Sequence, residues 1–150
     1  MYDMGGARMT VADIQLIGVP NSSIPDVWED VKPMLEKGIS HGDGELDVND
    51  ILKFLLDRTM QLWVLYNYDE SVIVMAGVTE LVTYPRAKIC RAVVLGGDSL
   101  SDWIEHIKGI EAWAKSKGCD KVEAYGRRGL AKKMEAIGYS NKYVVIRKDL

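Results

Sequence analysis

The sequence predicts an α+β domain built on a mixed, mostly antiparallel sheet flanked by helices. Three observations predict it. Two amphipathic helical segments lie in the first 60 residues. Three strand-like segments then follow one another from Gln61 to Leu95 with only short breaks between them. After Leu95 the pattern turns to strand–helix–strand, a connection that usually pairs its strands in parallel. The full order is β-α-α-β-β-β-α-β-α-β, in which a strand run joined to a β-α-β unit argues for one mixed sheet.

Each element has its own warrant. Ile14–Val19 is a short apolar run stopped by Pro20, a first strand. Pro25 suits the first turn of a helix, where its missing N–H costs nothing. Val27, Trp28, Val31, Met34 and Leu35 recur at helical spacing, and Gly38 is the expected stop. Pro33 inside this pattern predicts a kink or an early end. His41-Gly42-Asp43-Gly44 reads as a loop. Asp47 with Asp50 forms a capping arrangement for a second helix, which carries Val48, Ile51, Leu52, Leu55 and Leu56 and runs to about Arg58.

Leu62–Tyr66 reads as a strand and residues 67–70 as a hairpin connection. Ser71–Tyr84 is a long β-rich run in which Gly77 suggests a bulge. Lys88–Leu95 is the next strand, so the three form an antiparallel meander. Ser99 resembles an N-cap, and Trp103, Ile107, Ile110 and Ala114 share one helical face up to Gly118. Lys121–Tyr125 is a short strand, Leu130–Ile137 a short helix ended by Gly138, and Tyr143–Arg147 a final strand.

The 150 residues fit one domain, with 47% apolar and 27% charged residues. Net charge is −3, which argues against nucleic acid as a partner of the whole molecule. Cys90 and Cys119 have neither metal nor Cys-x-x-Cys spacing and read as small core residues of a reducing compartment. No apolar run approaches the roughly 20 residues that span a bilayer. Residues 1–11 read as a loose tail without signal-peptide character, with Met9 an alternative start. The expected location is cytoplasmic, either in a cell or in a particle assembled inside one. His41 and His106 stand alone, so no metal site is expected.

Arg127 and Arg128, ahead of a helix that carries Lys132 and Lys133, suit an anion: guanidinium forks beside a helix N-terminus. The anion could be a cofactor phosphate or a nucleic-acid backbone. Glu80 and Glu123 lie on strands, where partial desolvation can make a carboxylate a general base. Alternation puts Glu80 on one face with Val78 and Val82. Trp63 and Trp103 sit in apolar patterns and read as core rather than as stacking platforms.

The Leu95-Gly96-Gly97 strand end, the Trp103 helix, Gly126-Arg127-Arg128-Gly129 and Gly138-Tyr139 together resemble the GNAT superfamily of N-acetyltransferases over about residues 12–150. They also resemble small GNAT-like proteins encoded by bacteriophages. The resemblance implies acetyl-CoA or a related acyl-CoA as cofactor and an amine as acceptor. It implies a splay between the fourth and fifth strands, where backbone N–H groups near Val94 and Leu95 would polarise the thioester carbonyl. Gly96, Gly97 and Ser99 would cradle pyrophosphate, with Arg127 and Arg128 on the 3′-phosphate. Glu80, Glu123 or water would take the amine proton.

Two departures accompany the resemblance. The pyrophosphate loop lacks its basic residue and carries Asp98 instead. Met134 stands where many members place a proton-donating tyrosine, and methionine cannot donate a proton. Tyr139, the candidate for that role, and Tyr125 lie nearby in sequence, but neither stands at the motif position. These departures keep a second expectation open: a phage virion or accessory protein that retains the fold without the reaction and binds phage structural proteins. A DNA-modifying relative contacting phosphates through Arg127 and Arg128 is a third. An open sheet edge near Tyr143 would also permit a homo-oligomer.

Overall fold

A computed structural model describes residues 13–97 and 100–150. The expectations for the tail at 1–11 and for Asp98 and Ser99 lie outside the described residues.

Strand β1 (Ile14–Val19) leads through a 3₁₀ turn into helix α1 (Ile24–Ile39), followed by α2 (Val48–Leu56). Strands β2 (Met60–Asn67), β3 (Val72–Tyr84) and β4 (Ala87–Gly97) come next. Helix α3 (Leu100–Ser116) crosses to β5 (Lys121–Ala124), and α4 (Arg128–Glu135) follows. The sheet order is β1-β2-β3-β4-β5, antiparallel except for the parallel β4–β5 pair.

Alternation along the strands loads both faces. Leu62, Val64, Ala76, Val78 and Val94 pack against α1 and α2. Trp63, Leu65, Met75 and Cys90 pack against Trp103, Ile107 and Ile110 of α3, with Leu130 and Met134 of α4. Trp63 and Trp103 are thus core, as their apolar patterns predict. The Trp63 indole donates to Thr79 Oγ1 at 2.9 Å, and Thr79 donates to Gln61 at 2.8 Å, so this buried polar pair is satisfied.

The helix ends follow local chemistry. Asp47 accepts from the Asn49 and Asp50 N–H groups while Asp50 accepts from the Asp47 N–H, a complete capping box. Asn21 donates to the Leu55 carbonyl at 2.8 Å and so closes the other end of α2, at Leu56 rather than near Arg58. Helix α1 runs through Pro33 and one residue past Gly38, so neither residue stops it. Its buried Val31 and Leu35 flank Pro33 and hold that turn against the sheet.

Further expectations are corrected. Gly77 is not a bulge: it pairs regularly with Trp63 and Leu95, and a Cβ there would meet the Trp103 ring at 2.9 Å. The register shifts instead between Leu65 and Tyr66 and between Val78 and Thr79, which leaves Val74 and Val93 as the extra residues. Tyr143–Arg147 forms no strand. Tyr143 is 88% and Ile146 93% exposed, so β5 is the edge of the sheet. Among the described residues, no helix is long and apolar enough to cross a membrane.

Candidate functional site

The β4–β5 pairing runs from Ile89↔Lys121 to Ala92↔Ala124 and stops. Strand β4 continues to Gly97 against β3 alone, while the chain beyond β5 turns away through Tyr125 and Gly126 into α4. Val93, the extra residue of the β3–β4 register, lies immediately past the last β4–β5 pair. Main-chain groups of Val93–Leu95 that turn from β3 therefore have no strand partner among the described residues. A splay between these two strands is what the resemblance implies.

The wedge opens into a cleft of about 1540 Å³. Val93 to Gly97 form one wall, Tyr125 to Leu130 with Lys133 the other, and Lys37 to Leu46 the rim contributed by the α1–α2 connection. Glu80, Ser101, Val145 and Arg147 complete it. Arg127 is the N-cap position of α4, and the exposed Arg127, Arg128 and Lys133 give this wall positive charge. On the opposite rim, Arg147 meets Asp43 at 3.0 Å and Glu45 at 2.5 Å, tying the C-terminal segment to the α1–α2 connection.

Gly96 and Gly97 belong to β4 itself, paired with Ala76 and Met75. A Cβ on Gly96 would lie 2.0 Å from the Met34 carbonyl oxygen, so α1 can approach only a glycine here. Gly97 has φ +139, and a Cβ there would strike Met75 at 2.7 Å. Both glycines line the cleft, and both also have a packing reason to be glycine.

The two carboxylates are brought together. Glu80, Arg91 and Glu123 occupy one row across β3, β4 and β5. Arg91 Nε donates to Glu123 at 2.7 Å, and its NH1 lies 3.8 Å from Glu80. Arg91 also donates to the Tyr84 hydroxyl at 3.2 Å and lies 4.8 Å from the centre of the Tyr125 ring. Burial alone would depress its guanidinium, but the bonds to Glu123 and Tyr84 hold it above its ordinary value. Glu80 lines the cleft; Glu123, bonded to Arg91, does not.

Tyr139 is placed elsewhere. Its hydroxyl donates to Glu111 of α3 at 2.6 Å and its ring packs on the α3-side core, outside the cleft lining. Burial, and then the Glu111 carboxylate, push its hydroxyl well above the ordinary value. Met134 is 5% exposed in the same core. Cys90 is buried, and burial raises its thiol to about 11, so it is no nucleophile at neutral pH. No group of three metal-ligating side chains occurs among the described residues.

Comparison with solved structures decides the architecture. An acetyltransferase of Trypanosoma brucei aligns over 92% of this chain and 100% of its own, with a TM-score of 0.64 at 16% identity. Glucosamine-6-phosphate N-acetyltransferase of Arabidopsis thaliana aligns over 91% and 97%, with a TM-score of 0.62 at 15% identity. The chain has the GNAT fold. A predicted acetyltransferase of Clostridium acetobutylicum, solved with acetyl-CoA, aligns over 91% and 96% with a TM-score of 0.63 at 8% identity. No family model and no curated protein matches the sequence. Within this fold β4 and β5 part after Ala92↔Ala124, and Met134 is buried.

Sequence reasoning missed Arg91 as a hub. The only signal was an arginine inside an apolar strand, and its partners emerge only from the three-strand register.

Proposed function

We propose that the chain is an N-acyltransferase that moves an acyl group from acetyl-CoA or a related acyl-CoA to an amine. The β4–β5 splay at Ala92↔Ala124 carries this reading, because it leaves main-chain donors of β4 at the head of a cleft with a basic wall. Three solved structures named as acetyltransferases share the architecture over nine-tenths of the chain, which supports it.

In this reading, N–H groups of Val93–Leu95, Val94 among them, polarise the thioester carbonyl and hold the developing oxyanion. The amine nitrogen attacks that carbon, the C–S bond breaks, and the coenzyme A thiolate leaves. Glu80, directly or through one water, accepts the amine proton. Water protonates the thiolate, since Tyr139 is committed to Glu111 and Met134 has no proton to give. Gly96 and Gly97 approach the pyrophosphate, and Arg127 and Arg128 meet the 3′-phosphate. Holding both reactants in one wedge supplies much of the rate.

Melting the protein with and without acetyl-CoA tests the reading. A ligand at 100 times its Kd stabilises the folded state by about 2.7 kcal/mol, a readily measured rise in Tm. An unchanged Tm at millimolar acetyl-CoA and at millimolar coenzyme A would remove it and favour a chain that keeps the fold without the reaction, such as a virion or accessory protein. The buried Met134 is the observation on that side.

A further inference from the structure

We infer that Arg91 is a positioning residue: a single guanidinium sets Glu80, Glu123 and Tyr125 relative to one another at the point where β4 and β5 part. The chemical consequence rests on the acyltransferase reading; the geometric claim stands on its own.

The placement argues for it. Glu80, Arg91 and Glu123 are cross-strand neighbours, and Arg91↔Glu123 is the pair immediately before the last registered one. Strand β5 has only four residues, so few ladder bonds hold it. The 2.7 Å bond from Arg91 to Glu123 pins β5 just short of the splay. Tyr125, the first residue past the strand, is 64% exposed and rests against the same guanidinium. Without Arg91, two carboxylates would share one sheet face with no cation between them.

The row is also unequal. One cation serves two carboxylates, and it lies closer to Glu123, at 2.7 Å, than to Glu80, at 3.8 Å. Glu123 is therefore consumed in holding the strand, while Glu80 keeps lone pairs turned to the cleft. Arg91 assigns different work to two glutamates that look equivalent in the sequence. A lysine could not do this, because an ammonium is a point charge without the fork that reaches Glu123, Tyr84 and Glu80 together.

The test compares Arg91→Lys with the unaltered protein by amide NMR and by steady-state kinetics. The expected result has two parts. The amide signals of Val93–Leu95 and the ring signals of Tyr125 move, and exchange at Lys121–Ala124 quickens about tenfold as the edge strand opens locally. With acyl-CoA and an amine, kcat falls by about ten- to a hundredfold, as sub-ångström misplacement of reacting groups does, while KM for acyl-CoA stays within about twofold. Signals at 93–95 and at Tyr125 that remain in place overturn the inference whether or not the protein transfers acyl groups. Signals that move while kcat is unchanged also overturn it. An unaltered protein that ignores acyl-CoA defeats the acyltransferase reading alone, since the NMR comparison still decides on Arg91. If Arg91→Lys does not fold, Glu123→Gln takes its place: it must shift the same amides, and their staying put counts against the inference.

Discussion

The Met34 carbonyl of α1 lies so near Gly96 of β4 that a Cβ on the glycine would come within 2.0 Å of its oxygen. Backbone meets backbone, so no rotamer change can relieve the contact. Helix α1 is thereby seated over the end of β4, and one turn on a Cβ at Gly38 would meet the Val94 side chain at 2.7 Å and the Leu95 carbonyl oxygen at 3.1 Å. Gly96→Ala should push the helix off the strand and cost about 1–3 kcal/mol, the usual range for overpacking. Urea denaturation checks this. A variant as stable as the parent would mean that α1 is not held against Gly96, and the rim of the cleft would need redrawing.

Cys90 and Tyr139 predict an alkaline limb in the stability curve. Both are acids that burial keeps protonated in the folded chain. The Cys90 thiol is raised from 9.0 to about 11, and the Tyr139 hydroxyl is raised from 10.0. Above pH 9 the unfolded chain loses protons that the folded chain keeps, so stability falls as pH rises. The loss begins near 9.0, the unfolded value for the thiol, and continues through the folded value near 11. Cys90→Ala should flatten the first part of that fall and leave the tyrosine part. Stability that holds constant from pH 8 to pH 11 would contradict the burial of both groups.

Tyr139→Phe separates a structural tyrosine from a chemical one. Its hydroxyl bond to Glu111 ties the turn after α4 to α3. Hydrogen bonds to charged groups contribute about 1.5–3 kcal/mol when buried, and this part-exposed one should contribute less, about 1 kcal/mol. The variant should lose that much stability while keeping kcat for acyl transfer within about twofold, since a group outside the cleft supplies no transition-state contact. A large fall in kcat with an unchanged Tm would return Tyr139 to the reaction as its acid.

How far the sequence foretold this molecule depends on the range of the interaction. The strand patterns at 71–84 and 88–95, the 3.6-residue spacing around Trp103, and the Asp47–Asp50 cap are local, and each was legible. The Tyr143–Arg147 segment was not. Its β-branched residues have strand propensity, but a strand exists only where a neighbour accepts its main-chain bonds, and this segment is tethered instead at Arg147. The splay was expected only through the resemblance to the GNAT superfamily. Arg91 could not: whether an arginine meets Glu80 and Glu123 depends on two registers, one of them shifted by a bulge at Val93. Tyr139 likewise finds Glu111 across 28 residues of chain.

The Arg147 clasp should respond to salt and acid. Its pairs with Asp43 and Glu45 join the C-terminal segment to the cleft rim in full contact with solvent, where ions screen such pairs readily. The Asp43 N–H and then Arg147 hold the Glu45 carboxyl below its ordinary 4.5. The clasp therefore persists above that value and is lost as pH falls through the lowered one. Residues 143–150 should gain backbone mobility in about 1 M salt, where the screening length is about 3 Å, and also at low pH. Amide relaxation measures this; Arg147→Ala should reproduce it at neutral pH and low salt. A tail equally ordered in all four conditions would mean that contacts other than the clasp retain it.

Arg127 and Arg128 give the sharpest check on how a cofactor would lie. Both are exposed beside the N-terminus of α4, so their attraction to a phosphate works through solvent and is modest for each. Together they should be worth about a three- to tenfold change in Kd. If they meet the 3′-phosphate, the Arg127→Ala, Arg128→Ala double variant should bind coenzyme A more weakly and bind 3′-dephospho-coenzyme A as the parent does. If they meet the pyrophosphate, both ligands should weaken alike. Titration calorimetry with the two ligands distinguishes these arrangements. Unchanged binding of both would leave the arginines a solvated turn and move the phosphate contacts to the start of α3, where Ser101 lines the cleft.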